Sequence, residues 1–115
     1  MSTFKIYHNN RCSKSRAGLQ YLEEKGINPE VVEYMNEPLT AEELTTVLEK
    51  LGMTPLELIR KDETIYKEMY KGHSFSDADW ITIMLENPRL IERPIIVKGD
   101  KAVVARPTEK IDELL

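Results

Sequence analysis

Apolar and polar residues alternate over Phe4-Lys5-Ile6-Tyr7, and a period of two predicts a short strand. A helical pattern that includes Ala17, Leu19, Tyr21 and Leu22 follows, predicting a helix from about Ser13 to Lys25 with Gly26 as its stop. Asn28-Pro29 marks a turn, and Glu30-Val31-Val32-Glu33-Tyr34 reads as a second strand. Strand, helix and strand in this order suggest a parallel βαβ unit with a right-handed crossover. Thr40-Ala41-Glu42-Glu43 forms a capping box, and Leu44, Val47, Leu48 and Leu51 recur at helical spacing up to Gly52. Thr54-Pro55 opens a short helix expected to carry Leu58, Ile59 and Arg60. Asp62 to Tyr70 has helical spacing through Ile65, Tyr66 and Met69. Ser76 opens a helix so apolar (Trp80, Ile81, Ile83, Met84, Leu85) that it is expected to pack on a sheet. Pro94–Lys98 and Lys101–Ala105 flank Gly99-Asp100, the pattern of a hairpin, and Thr108 is a candidate cap for a terminal helix. These elements predict an α/β fold: a central mixed sheet with helices packed around it.

The chain has 115 residues, a size for one domain, 1–115, with no repeat or linker to divide it. Its net charge of −4 offers no global attraction to nucleic acid or to a membrane, so any anion site must be local. One cysteine excludes an internal disulfide and a Cys-rich zinc site, and two separated histidines do not make up a metal set. A single thiol, no apolar run of signal-peptide length and no bilayer-spanning stretch give the expectation of a reducing, cytoplasmic compartment.

That cysteine, Cys12, lies where the first strand ends and the first helix begins, within His8-Asn9-Asn10-Arg11-Cys12-Ser13-Lys14-Ser15-Arg16. A lone cysteine is most often a small buried hydrophobe. Here its neighbours are arginine, serine and lysine, which argues against a core position. The unpartnered N–H groups of a helix start, together with nearby positive charge, favour thiolate over thiol and would equally hold an oxyanion. His8, four residues earlier, either shares a proton with the sulfur or merely supports the loop.

Three arginines stand where elements end. Arg60 is expected to close the short helix, while Arg93 precedes and Arg106 follows the hairpin strands. Antiparallel pairing would bring Arg93 and Arg106 to one end, as two solvated side chains or as a fork for an anion between them. Pro94 opens a strand, and the residues alone leave its bond cis or trans. Spacing weakens two rivals. A Cys-based phosphatase wants an arginine six positions after the nucleophile, where Gly18 stands, and a dithiol oxidoreductase wants a cysteine where Ser15 stands.

Tyr7-His8-Asn9 with Cys12 and Ser15-Arg16 resembles the active-site loop of the glutaredoxin-coupled arsenate reductase (ArsC) family. Ile59-Arg60-Lys61, Asn87-Pro88-Arg89-Leu90-Ile91-Glu92-Arg93-Pro94-Ile95 and Arg106-Pro107 resemble three further family motifs, in the same order. The resemblance implies a thioredoxin-like fold, with a central mixed sheet of about four strands, flanking helices and a helical insertion at about 40–88. It implies Cys12 as nucleophile, Arg60, Arg93 and Arg106 as oxyanion ligands, His8 and Ser15 as groups that tune the thiolate, and Pro94 as a cis-proline. It also implies arsenate as substrate, glutathione as co-substrate and glutaredoxin as partner. The sequence itself gives no reason to expect a metal or a bound cofactor, and a monomer is expected. Asn10 departs from the family, where proline is common, and Arg11 and Lys14 make the loop more basic. The same fold hosts thiol-dependent relatives that ignore arsenate and non-enzymatic regulatory modules, so fold alone does not choose among these.

Overall fold

The computed structural model describes residues 3–115. The chain divides into two compact units: the stretch up to Glu37 together with Arg93–Leu115, and Pro38–Glu92.

The first unit is built on a four-stranded sheet of β1 (Phe4–Tyr7), β2 (Glu30–Val32), β3 (Ile95–Lys98) and β4 (Lys101–Val104) in the order β2-β1-β3-β4. β1 pairs parallel with β2, and β3 antiparallel with both β1 and β4, so the sheet is mixed, as expected. Ile95, Ile96 and Val97 are all buried, the uninterrupted apolar run of a central strand. The hairpin turns on Gly99-Asp100, and only the glycine takes positive φ, 62°. β2 is two residues shorter than its β-rich sequence predicts. His8 N–H bonds to Val32 O, after which Asn36 and Glu37 N–H both turn back to Glu33 O. Tyr34 is therefore in a turn, yet buried.

Helix α1 (Ser13–Glu24) buries Ser15, Gly18 and Leu22, three positions on one face. This differs from the apolar residues read in the sequence: two of the three have almost no apolar surface. Gly18 explains itself, because a Cβ there would lie 2.7 Å from Pro94 Cγ. Leu22 joins Ile6, Ile96, Ala105, Ile111 and Leu114 in the core. The terminal helix, Thr108–Leu114, is a 3₁₀ helix, and Thr108 is its first residue, not its cap.

In the second unit, α2 (Ala41–Leu51) and α3 (Pro55–Leu58) each begin with a full capping box, at Thr40 and Thr54. α3 is shorter than expected. It ends at Leu58, since Ile59 pairs with Ile91 in an isolated antiparallel bridge and Arg60 N–H bonds to Leu90 O. The stretch read as a helix from Asp62 narrows to a π-helical turn, Tyr66–Tyr70, closed by Lys71 N–H on Tyr66 O. α4 (Asp77–Glu86) packs on α2 and α3, where its apolar face had suggested a sheet. Trp80 rests among Tyr66, Tyr70 and Phe75.

Candidate functional site

The register of the sheet brings the chemistry of the first unit to one edge. Tyr7 pairs with Val32 on one side and Ile95 on the other, and Ile95 with Val104. The chain past Tyr7, the turn after Val32, the approach to Ile95 and the exit from Val104 thus share that edge. They carry His8 to Cys12, Tyr34, Arg93 and Arg106 respectively.

Cys12 is the N-cap of α1, with extended backbone (φ −99°, ψ 123°). A side chain there faces the N–H groups of the second and third helical residues, here Lys14 and Ser15. Burial pushes the thiol up, but hydrogen bonding from Arg93 and from the Ser15 and Lys14 backbone outweighs it and brings the pKa down from 9.0 to about 7. Arg106 Nη2 lies 4.0 Å from the sulfur. Arg106 Nε donates to the carbonyl of Arg93 at 2.8 Å, which ties the two ends of the hairpin together. The repulsion between two converging guanidiniums is relieved by the thiolate they share.

His8 and Ser15 Oγ share a buried 2.8 Å hydrogen bond through His8 Nδ1, and Asn9 N–H donates to the same oxygen at 2.9 Å. Burial lowers the His8 pKa, against the raising effects of Glu33 and Ser15. His8 is therefore mostly neutral at pH 7, and its contact is with Ser15. The loop is closed by Cys12 N–H on Asn9 O, Arg11 N–H on Asn9 Oδ1 and Arg16 Nη1 on Asn10 O. That last bond braces the loop at Asn10.

Arg60 belongs to the second unit and has different company. Its Nε lies 3.3 Å from Glu92 Oε1, and its two terminal nitrogens each lie 3.9 Å from a carboxylate, of Asp62 and Glu63. Glu63 also pairs with Arg89 at 3.7 Å. These ion pairs were not legible in the sequence, since acidic residues beside an arginine in a loop look like ordinary surface charge. The Arg93–Pro94 bond is cis, one of the two isomers the residues left open and the one the resemblance implied. Arg106–Pro107 is cis as well, which no sequence signal had raised. Among the described residues no cluster of three or more His, Cys, Asp or Glu is placed to hold a metal ion, and no helix is long and apolar enough to cross a membrane.

A mixed four-stranded sheet with flanking helices, and a cysteine at the start of α1 beside two arginines, make up a thioredoxin-like arrangement. The chain belongs to the ArsC family, whose model matches residues 7–114. It is 46% identical over 113 residues to the uncharacterized protein YfgD of Escherichia coli, spanning 96% of this chain and 95% of that one. It is 41% identical to an arsenate reductase of Neisseria meningitidis, over 100% of both chains. Its fold matches the solved structure of an arsenate reductase from Vibrio cholerae with a TM-score of 0.93 and 40% identity, covering 99% of this chain and 98% of the other.

Proposed function

We propose that this protein reduces arsenate to arsenite through a covalent adduct on Cys12, with glutathione and glutaredoxin as reductants. The observation that carries the reading is the sulfur itself. Its pKa, lowered to about 7, makes it thiolate in good part at neutral pH, and it lies with Arg93 and Arg106, two donors suited to an oxyanion.

Cys12 thiolate attacks the arsenic of arsenate, an As–O bond breaks, and the departing oxygen leaves as water after protonation. The adduct still holds As(V). The glutathione thiolate then attacks the Cys12 sulfur, forming a mixed disulfide, while the electron pair of the S–As bond leaves with arsenic as As(III). Glutaredoxin reduces the mixed disulfide and restores the Cys12 thiol. The second reducing thiol must come from outside, because the chain has one cysteine. Arg93 and Arg106 neutralise the oxyanion as it approaches an anionic sulfur. Ser15 and neutral His8 hold the loop and tune the thiolate through their shared hydrogen bond. Arg60 is assigned as a third oxyanion ligand on the Ile59-Arg60-Lys61 motif alone. The protein acts as a cytoplasmic monomer, in this reading, without metal or bound cofactor.

The test is arsenate-dependent NADPH oxidation with glutathione, glutaredoxin and glutathione reductase, on the wild type and Cys12→Ser. Turnover by the wild type alone supports the reading. No turnover by correctly folded wild type overturns it in favour of a thiol-dependent relative that ignores arsenate.

A further inference from the structure

Tyr34 is 2% exposed, its hydroxyl oxygen is closed off from solvent, and so is Arg93 Nε. Tyr34 lies two residues beyond Val32 on β2, and Arg93 two residues before Ile95 on β3, at the same edge of the sheet and on either side of β1. Arg93 is 9% exposed as a residue, and its guanidinium interacts with both Cys12 and Tyr34. Burial alone would lower the Arg93 pKa, and hydrogen bonds and charges from these two side chains raise it instead.

We propose that Tyr34 is a positioning residue for Arg93: its buried hydroxyl holds the guanidinium against the Cys12 sulfur. The choice of a phenol has a physical reason. A guanidinium this buried needs acceptors, because an unsupported buried charge is costly. A carboxylate would provide one but would cancel the charge that the thiolate and an incoming oxyanion must feel. A phenol is neutral over the working range of pH, so it fixes the guanidinium and leaves its charge directed at the sulfur. Carboxylates around Arg60 supply the contrast: there the partners carry the opposite charge. Tyr34 touches neither substrate nor sulfur in this account and acts only through Arg93.

The inference rests on the reading of this edge as a thiolate and oxyanion site, but its test does not need arsenate turnover. The readout is the midpoint of the pH profile for Cys12 alkylation by iodoacetamide, in wild type, Tyr34→Phe, Arg93→Ala and the double variant. Tyr34→Phe keeps the ring that fills the core and should raise the midpoint by roughly 0.4–1 pH unit, the scale of one net hydrogen bond. In the Arg93→Ala background the same change should move nothing. A Tyr34→Phe midpoint equal to wild type, or an equal shift with and without Arg93, would overturn the proposal. A second measurement leaves Tyr34 in place: with carbon-13 at tyrosine Cζ, Arg93→Ala should displace the assigned Tyr34 resonance, and an unmoved resonance would also overturn it. If wild type shows the lowered midpoint and the coupling but no arsenate turnover, the positioning role stands and the substrate assignment alone falls.

Discussion

In the sheet unit, Arg93 and Arg106 meet a sulfur, and a phenol accompanies Arg93; in the helical unit, Arg60 meets the carboxylates of Asp62, Glu63 and Glu92. The side chain is the same and the electrostatic setting is opposite. Beside Cys12 the positive charge is only partly answered, so it is spent lowering a thiol from 9.0 to about 7. Around Arg60 the charge is met by acids that are partly solvated, an arrangement that orders the guanidinium while contributing little net stability. The difference teaches that the same side chain carries different free charge in different surroundings. What matters is whether its neighbours leave charge over for a ligand.

The comparison breaks most completely at the sulfur. Cys12→Ser should reduce arsenate-dependent NADPH oxidation to background, because a serine hydroxyl is not ionised at neutral pH and cannot form the adduct or the mixed disulfide. Next in size is Arg93→Ala. Loss of a charge-assisted hydrogen bond worth ~1.5–3 kcal/mol should raise the Cys12 alkylation midpoint by about 1–2 pH units. In the wild type the thiolate fraction grows as pH rises, so the alkylation rate should climb through a midpoint near 7 and level off above it. A profile centred near the ordinary thiol value would contradict the geometry of the site.

Gly18→Ala tests the same edge from behind. The added methyl meets Pro94 Cγ at 2.7 Å within a buried contact, and overpacking of this kind should cost ~1–3 kcal/mol, read as a lower Tm. Because Pro94 adjoins Arg93, the Cys12 alkylation midpoint should move as well. Glu92→Gln in the helical unit should do much less. It removes one part-exposed partner at 3.3 Å from Arg60 and should change stability by about 1 kcal/mol or less in a denaturant titration, with the Cys12 midpoint unmoved. A loss of similar size, about 1 kcal/mol, is expected at Thr40→Ala, which opens one capping box on α2 without touching thiol chemistry.

Much of the frame is legible in the sequence alone. Alternation marked β1 and the hairpin, Thr40 and Thr54 marked helix starts, and the position of Cys12 at a strand–helix junction marked the candidate nucleophile. These are local signals: period, capping chemistry and turn residues act over a few positions. The misreadings are of another kind. β2 ends early, α3 stops before Ile59, and α4 rests on helices, because each outcome depends on which distant backbone or side chain fills the neighbouring space. The buried face of α1 could not be read from hydrophobicity, since Ser15 is buried for a hydrogen bond and Gly18 for close approach to Pro94.

The sequence by itself determined where most of the elements lie, the mixed sheet they imply, and the single cysteine at a strand–helix junction with basic residues beside it. Tertiary structure decided how each charged and polar group is used. It set His8 on Ser15 and Tyr34 beside Arg93, and gave Arg60 its carboxylates. The physical reason is that propensity and patterning are sums over neighbours along the chain, whereas a pKa or an ion pair is set by separations of a few ångströms between residues that pairing brings together from far apart.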